Sequence, residues 1–571
     1  MTRKHTQWIQ PGRRRFVLGA CGLLAGALGA RAVDLQLLRS DFLRNQARVR
    51  HVRSVPLSAH RGMFLDRNGE PLAISTPVWS IWGDPGPLLA ARELWPTLAS
   101  ALDMPLERLA ERVTAAAGRE FIWLRRRLTP SATERVLDLG VPGVGRRREY
   151  RRYYPTAEVS GHVLGFTGID DQGREGLELA YDDWLQGHPG RKRVVIDRLG
   201  RRISDLELIR EAVPGRDLTL SIDRRMQYLA YRELKATVQH HGATSGSMVI
   251  LDVHTGEILA MVNQPAFNPN DGRDRASADL RNRAVTDSFE PGSTMKTFTI
   301  AAALESGQYQ PETSVFTAPG TLRVGGHTIS DYRDLGELDV GGILRKSSNV
   351  GASRVALSLE QHELWRLFSR CGVGESTGSG FPGEAGGKLL PAGSWSQVET
   401  ATMAFGYGMA VTPLQLARAY AAIAADGVLP EVTFHKGGRP DAGERVMSRE
   451  TAQAVRHMLE SAVAPGGTGV RAAVPGYRVA GKTGTAHMAA AGGYAADRYR
   501  ALFAGFAPAS EPRLAAVVVI DEPQGEEFYG GQVAAPLFAR VIGGSLRLLD
   551  IRPDGLEVPD EQRLRTAGGA T

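Results

Sequence analysis

A chain of 571 residues, 42% hydrophobic and 23% charged, has material for several packed cores and is not disordered. Its net charge of +7 is partly local, in the arginines at 125–127, 146–148, 151 and 152. No aromatic interleaving or reading motif accompanies them, so they read as a solvated basic face near an anionic surface and not as a nucleic-acid site. Cys21 and Cys371 are too few for a disulfide framework or a zinc cluster.

Residues 16–30 are uncharged and apolar, behind Arg3, Lys4, Arg13, Arg14 and Arg15. Arg31 interrupts the run, which resumes to Leu38. Fifteen residues is short for a bilayer, but an arginine can snorkel, so 16–38 is expected to be one uncleaved membrane anchor. The basic flank predicts 1–15 as a cytoplasmic tail and the rest of the chain outside. Two rivals exist: a twin-arginine signal at Arg13-Arg14-Arg15 cleaved near Ala30-Arg31-Ala32, and a lipidation box ending at Cys21 whose apolar region is too short.

A helical stretch to about residue 53 follows, and 61–74 reads as strand, Asn68-Gly69 turn and strand. Residues 86–140 look mostly helical, an extended part begins at Tyr153, a helix runs from 173 to about 185, and 190–222 alternate as strands. No catalytic constellation is visible in 39–220, which is expected to be a spacer or docking module. A second composition begins near Ser221, with a helix over 226–238 and a hairpin of 247–253 and 257–262. Residues 350–460 read as helices broken by a glycine-rich loop at 372–387. Strands return at 477–480, 501–507 and 514–520, and a helix over 535–548 closes a domain spanning 221–550, leaving a polar tail at 551–571. The class is α+β, an antiparallel sheet covered by helices.

Pro291-Gly292 breaks the chain just before Ser293, and the apolar run from Phe298 predicts a buried helix. Ser293 and Lys296 then share a face one turn apart. A serine needs a neighbouring base, and a lysine can be one when burial or nearby positive charge lowers its pKa. Only eight of the 69 basic residues are lysine, so this chain uses arginine where charge alone is wanted. About half an S-x-x-K match is expected by chance, so the motif is weak alone. Ser347 and Asn349, in a turn before the helical 350–357, would project the same way if extended; the plain alternative is a helix cap. Lys482-Thr483-Gly484-Thr485 follows strand-like residues, where a glycine lets a substrate backbone lie against a strand edge.

S-x-x-K, S-x-N and K-T-G in this order resemble the signature of penicillin-recognising acyl-serine enzymes. The surroundings, Arg283–Ser293, Lys346–Gly351, Phe405–Gln415 and Tyr529–Gly531, with 61–73 and 153–178 in the front half, resemble class B penicillin-binding proteins of the cell-division type. The resemblance implies a single N-terminal membrane helix, an elongated pedestal or dimerisation-type domain at 39–220 and a transpeptidase domain at 221–550. It implies cross-linking of peptidoglycan stem peptides ending in D-Ala-D-Ala at the division septum, outside the cytoplasmic membrane. In that reading Ser293 is the nucleophile, Lys296 its base and Ser347 a proton relay. Lys482, Thr483 and Thr485 hold the substrate carboxylate, and Gly484 and Asn349 the substrate backbone. The amides of Ser293 and Thr485 form the oxyanion hole. No metal or organic cofactor is implied, β-lactams should trap the acyl-enzyme, and a lipid-linked glycan polymerase and other division proteins are the implied partners.

Rival motifs fail on context. Residues 476–483 fit a P-loop pattern, but Pro475 stands where its strand should end. Residues 374–378 and 378–383 fit a nucleophile elbow and a dinucleotide loop, but Pro382 forbids the helix both need. A serine β-lactamase would need neither spacer nor anchor, and fifteen residues before the anchor leave no room for the output of a β-lactam sensor. An elongation-type transpeptidase remains the near rival.

Overall fold

The computed structural model describes residues 11–39, 52–196, 202–272, 278–438, 443–490 and 493–555. The N-terminal helix Pro11–Val33 continues into a wider turn, Asp34–Leu38. Its span Gly12–Gln36 has 25 residues, the basic flank Arg13–Arg15 included, and none of its apolar window is buried. That is about 37 Å at 1.5 Å per residue, enough to cross a bilayer. Arg31, expected to snorkel, instead pairs with Asp34 one turn on (Nη1–Oδ2 2.7 Å), so the two charges offset each other. Most of the helix expected up to residue 53 lies outside the described residues, and its end is strand, Val52–Leu57.

The rest of the chain forms two compact units. The first contains 77–150 and 187–214. Short helices, Trp95–Ala101 and Leu106–Thr114 among them, bury Trp95, Leu98, Leu102, Leu109 and Val113 against Ile81 and Leu124. The expectation of helix throughout 86–140 fails at Ile122–Leu128, a strand that pairs with Trp79–Gly83. The arginines there are not a free solvated face. Arg126 grips Glu149 (Nη2–Oε1 2.7 Å) and lies over Trp123, and Arg146 lies over Trp79 at 4.4 Å. Guanidinium planes stack on indole rings, so part of the positive charge serves packing.

The second unit contains 61–76, 151–186 and 215–571. The segment 39–220 therefore contributes residues to both units. Strand pairing is one reason: Phe64–Leu65 runs parallel to Leu218–Thr219. A buried ion network is the other. Glu178, fully buried, accepts from Arg61 (Nε–Oε2 2.8 Å) and Arg152 (Nε–Oε1 2.6 Å), and Arg61 also reaches Asp182 at 2.6 Å. Arg152 further donates to the Gly62 carbonyl at 2.7 Å. The helix expected over 173–185 is two short ones, Gly176–Ala180 and Asp182–Leu185, which carry Glu178 and Asp182 into this network.

At the centre lies a five-stranded antiparallel sheet: β1 Ser245–Asp252, β2 Ile258–Gln264, β3 Ala480–Ala490, β4 Gly493–Ala507 and β5 Leu514–Asp521, in the order β2-β1-β5-β4-β3. Alternate residues of β5 enter opposite cores, Ala515, Val517 and Val519 one, Ala516, Val518 and Ile520 the other. That is why β5 reads as an unbroken apolar run. Helices α1 Arg224–His240 and α4 Gly530–Leu548 cover one face, and α2 Lys296–Glu305 and α3 Pro413–Ala424 share the other core. The strand expected at 477–480 begins only at Ala480. Tyr477 and Arg478 are held by the segment beyond α4, through Ile551 O (2.6 Å) and Asp554 Oδ1 (2.7 Å). The helix expected from 535 starts at Gly530, where a Cβ would strike Gly484 O at 2.2 Å.

Glu178→Ala leaves the buried Arg152 without a carboxylate and Arg61 with Asp182 alone. It should lower unfolding free energy by about 3–5 kcal/mol. Thermal and denaturant unfolding measure it; a loss below about 1 kcal/mol would mean the network carries no such burden.

Candidate active site

Pro291 and Gly292 (φ +55°) lead into a tight turn, Gly292–Met295, before α2 begins at Lys296. Burial of α2 on every side, by Phe298, Ile300 and Ala301 among others, leaves Lys296 no solvent, although Ser293 stays half-buried. The three-residue spacing sets Lys296 Nζ 3.1 Å from Ser293 Oγ. Tyr420 of α3 fixes the turn by donating to Thr294 O (2.9 Å) while meeting Thr297 Oγ1 (2.9 Å). Gly406 makes the approach of the 405–409 loop possible, since a Cβ there would fall 2.2 Å from Gly292 O.

Ser347 ends the helix Val340–Lys346 in the left-handed region (φ 60°, ψ 40°). This corrects the extended turn that the alternation argument assumed. The cap is Ser348, whose Oγ accepts from Gly351 N at 2.8 Å at the start of the helix Asn349–Ser358. Asp331 holds the corner, accepting from Ser348 Oγ (2.6 Å), Asn349 N (2.5 Å) and Val350 N (3.1 Å). Ser347 Oγ is thereby aimed at two amines, Lys296 Nζ (3.2 Å) and Lys482 Nζ (2.9 Å), and its carbonyl accepts from Lys296 at 2.5 Å. Asn349 does not share that aim; its Nδ2 donates to Ser330 O at 3.1 Å.

Lys482 lies on β3, the edge strand, opposite Ala504 of β4. It is fully buried and also donates to Thr483 O at 3.1 Å. Thr483 Oγ1 meets Thr468 Oγ1 at 2.8 Å, and Thr485 Oγ1 accepts from Gly530 N at 3.0 Å, so both hydroxyls are part-engaged. A Cβ on Gly484 would meet Thr294 Cγ2 at 3.1 Å. The glycine serves the packing of the serine turn on the strand, a tertiary reason where a substrate reason was expected.

Burial and the neighbouring Lys482 charge push the Lys296 amine well below the ordinary lysine range, against an opposing pull from Asp331. Burial brings Lys482 down to about 7. Of the residues expected at a site, Ser293, Lys296, Ser347 and Lys482 form one hydrogen-bonded chain, Thr483, Gly484 and Thr485 continue the Lys482 strand, and Asn349 stands at the rim. Sequence reasoning missed Asp331, Tyr420, Gly406 and Thr468. Asp331 alone had a local signal, an aspartate after a strand-like His327–Ser330, and its partners lie seventeen to nineteen residues on.

This architecture and cluster define a serine acyltransferase of the penicillin-recognising class. Residues 246–543 match the penicillin binding protein transpeptidase domain, and 56–220 the penicillin-binding protein dimerisation domain. The chain belongs to the class B penicillin-binding protein family. It is 43% identical over 555 residues to the peptidoglycan D,D-transpeptidase FtsI of Escherichia coli K12, covering 96% of this chain and 94% of that one. The apo transpeptidase domain of Burkholderia pseudomallei penicillin-binding protein 3 is 44% identical, with a TM-score of 0.55 over 59% of this chain and 97% of its own. The structure of penicillin-binding protein 3 from Mycobacterium tuberculosis complexed with aztreonam is 28% identical, with a TM-score of 0.68 over 87% of this chain and 98% of its own.

Asp331→Ala removes three acceptor contacts from the 347–349 corner. Acylation by a fluorescent penicillin should slow about 100-fold, as expected when a reacting group is misplaced by roughly 1 Å. A variant that acylates at the parent rate would show that the corner holds without Asp331.

Proposed function

We infer that this chain is the cell-division peptidoglycan D,D-transpeptidase of its cell, forming cross-links by acyl transfer from stem peptides through an acyl-serine intermediate. The observation that carries the mechanism is the hydrogen-bonded chain Ser293–Lys296–Ser347–Lys482, with both amines buried. A neutral amine has two N–H donors and one lone pair. Donation from Lys296 to the carbonyl and hydroxyl of Ser347 leaves that lone pair for the Ser293 proton. Ser293 Oγ attacks the penultimate D-Ala carbonyl while Lys296 takes its proton. The peptide C–N bond breaks, and Ser347 passes a proton to the departing D-Ala amine. An amine of a second stem peptide then attacks the ester, its proton returns through the same groups, and Ser293 is released.

Lys482, charged, draws the substrate carboxylate, and the unspent O–H of Thr485 donates to it. The amides of Ser293 and Thr485 stabilise the oxyanion. That pairing is supported by the packing of the serine turn on β3, where a Cβ on Gly484 would meet Thr294 Cγ2 at 3.1 Å. Asn349 Oδ1 is the acceptor offered to the substrate backbone. The one helix among the described residues long and apolar enough to cross a membrane, together with the likeness to FtsI, fits a single-pass inner-membrane protein. The reading adds that the catalytic unit faces outward, because the basic flank at 13–15 stays in the cytoplasm. It adds a lipid-linked glycan polymerase and other division proteins as partners.

Ser293→Ala should abolish covalent labelling by a fluorescent penicillin; a variant that still labels has another nucleophile. Lys296→Arg puts a permanent charge there and cannot take a proton, and should slow acylation about 10²–10⁴-fold. Acylation at low penicillin concentration reports the free enzyme. It should rise with pH as Lys296 becomes the free amine. It should then fall above about 7 as Lys482 loses the proton that draws the carboxylate. A rate that keeps rising into the alkaline range would remove Lys482 from that role.

A further inference from the structure

The second unit contains a cavity of about 760 Å³ where the first half of α1 faces the last turn of α4. It lies at the opposite end of α4 from the cleft. Gly530 touches Thr485, whereas Gly544 lines the cavity fourteen residues further on, about 21 Å at the helical rise. Nothing in the catalytic chemistry uses it.

Four lining residues are arginines, Arg224, Arg225, Arg232 and Arg547, and none is acidic. Arg224, Arg225 and Arg232 are oriented by carboxylates outside the lining, Glu70, Asp223 and Glu233. Asp550 and Glu158 also stand near, the first acting on Arg225, the second bound to Lys235. Arg547 has no ion pair among the described residues. The Thr156 hydroxyl, also in the lining, is sealed from solvent without a hydrogen-bond partner. A buried hydroxyl without a partner costs free energy unless something supplies one. The floor is apolar, with Val159, Leu229 and Leu548, and opens because Gly544 has no side chain: a Cβ would meet Leu229 Cδ2 at 2.5 Å.

We propose that this cavity is a second binding site, for a small amphiphilic anion: a phosphate or carboxylate head held by Arg547, with a short apolar body on the Leu229–Leu548 floor. A free guanidinium makes paired bonds to such a head. The volume falls within the range of small-molecule sites, about 300–1,000 Å³.

The test is titration calorimetry of the full chain in neutral detergent, with hexyl phosphate, inorganic phosphate and hexanol as probes. Hexyl phosphate should bind saturably at one site, at least about tenfold tighter than either other probe, since each buried methylene adds to affinity. Arg547→Ala should weaken it about tenfold, and Gly544→Leu should block it by filling the floor, while both variants label normally with fluorescent penicillin. Equal affinity for inorganic phosphate would refute the apolar subsite. Absence of saturable binding, or binding unchanged in Arg547→Ala, would overturn the proposal. Competition by penicillin would too, because it would place the anion in the catalytic cleft.

Discussion

Two amines are buried within hydrogen-bond reach of one hydroxyl, and the rest of the site follows from that. Desolvation alone makes each reluctant to hold a proton, and each charge raises the cost of the other. Lys296 is pushed down by both burial and Lys482, and Lys482 by burial, so the arrangement favoured between them leaves the proton on Lys482. Asp331 shifts that balance toward charge, and at Lys296 burial together with Lys482 outweighs it. A lysine that is free base near neutrality can serve a serine, and an ammonium beside it can serve a carboxylate. Arginine could replace neither, because its proton cannot be moved.

The scaffold exists to bring three remote segments to that hydroxyl. α2 provides Lys296 from inside a core, so its base is dry. β3 provides Lys482 from the edge of a sheet whose inner strands are buried on both faces. The left-handed corner at Ser347 is an expensive conformation for a non-glycine residue, and Asp331 and the Ser348 cap hold it there. The glycines at 406 and 530 let backbones meet where a methyl group could not fit, and Gly484 leaves room for the Thr294 side chain.

Charge is divided by residue type across the molecule. Arginines do structural work, stacking on Trp79 and Trp123 and clasping Glu178 in a dry interior. Lysine is not reserved for chemistry alone: Lys346 donates to Gly466 O and Lys235 pairs with Glu158. What sets Lys296 and Lys482 apart is burial without a carboxylate in contact.

The sequence alone singled out residues that the fold brings together, because the local rules that place them act over a few positions. Three residues of helix align Ser293 with Lys296, an unbroken apolar run marks β5, and three motifs in order mark the family. It also marked the N-terminal apolar helix, since fifteen uncharged residues behind a basic flank need no tertiary context to read. It misjudged whatever depends on distant partners: the strand at 122–128, the start of β3, and the corner at Ser347. Only the tertiary structure decided that Ser347 faces both lysines while Asn349 turns to Ser330, and that Asp331 and Tyr420 belong to the site. The physical reason is that burial and hydrogen-bond partnership are properties of neighbours in space. Lys482 is an ordinary basic residue in the sequence until the packing around β3 removes its water.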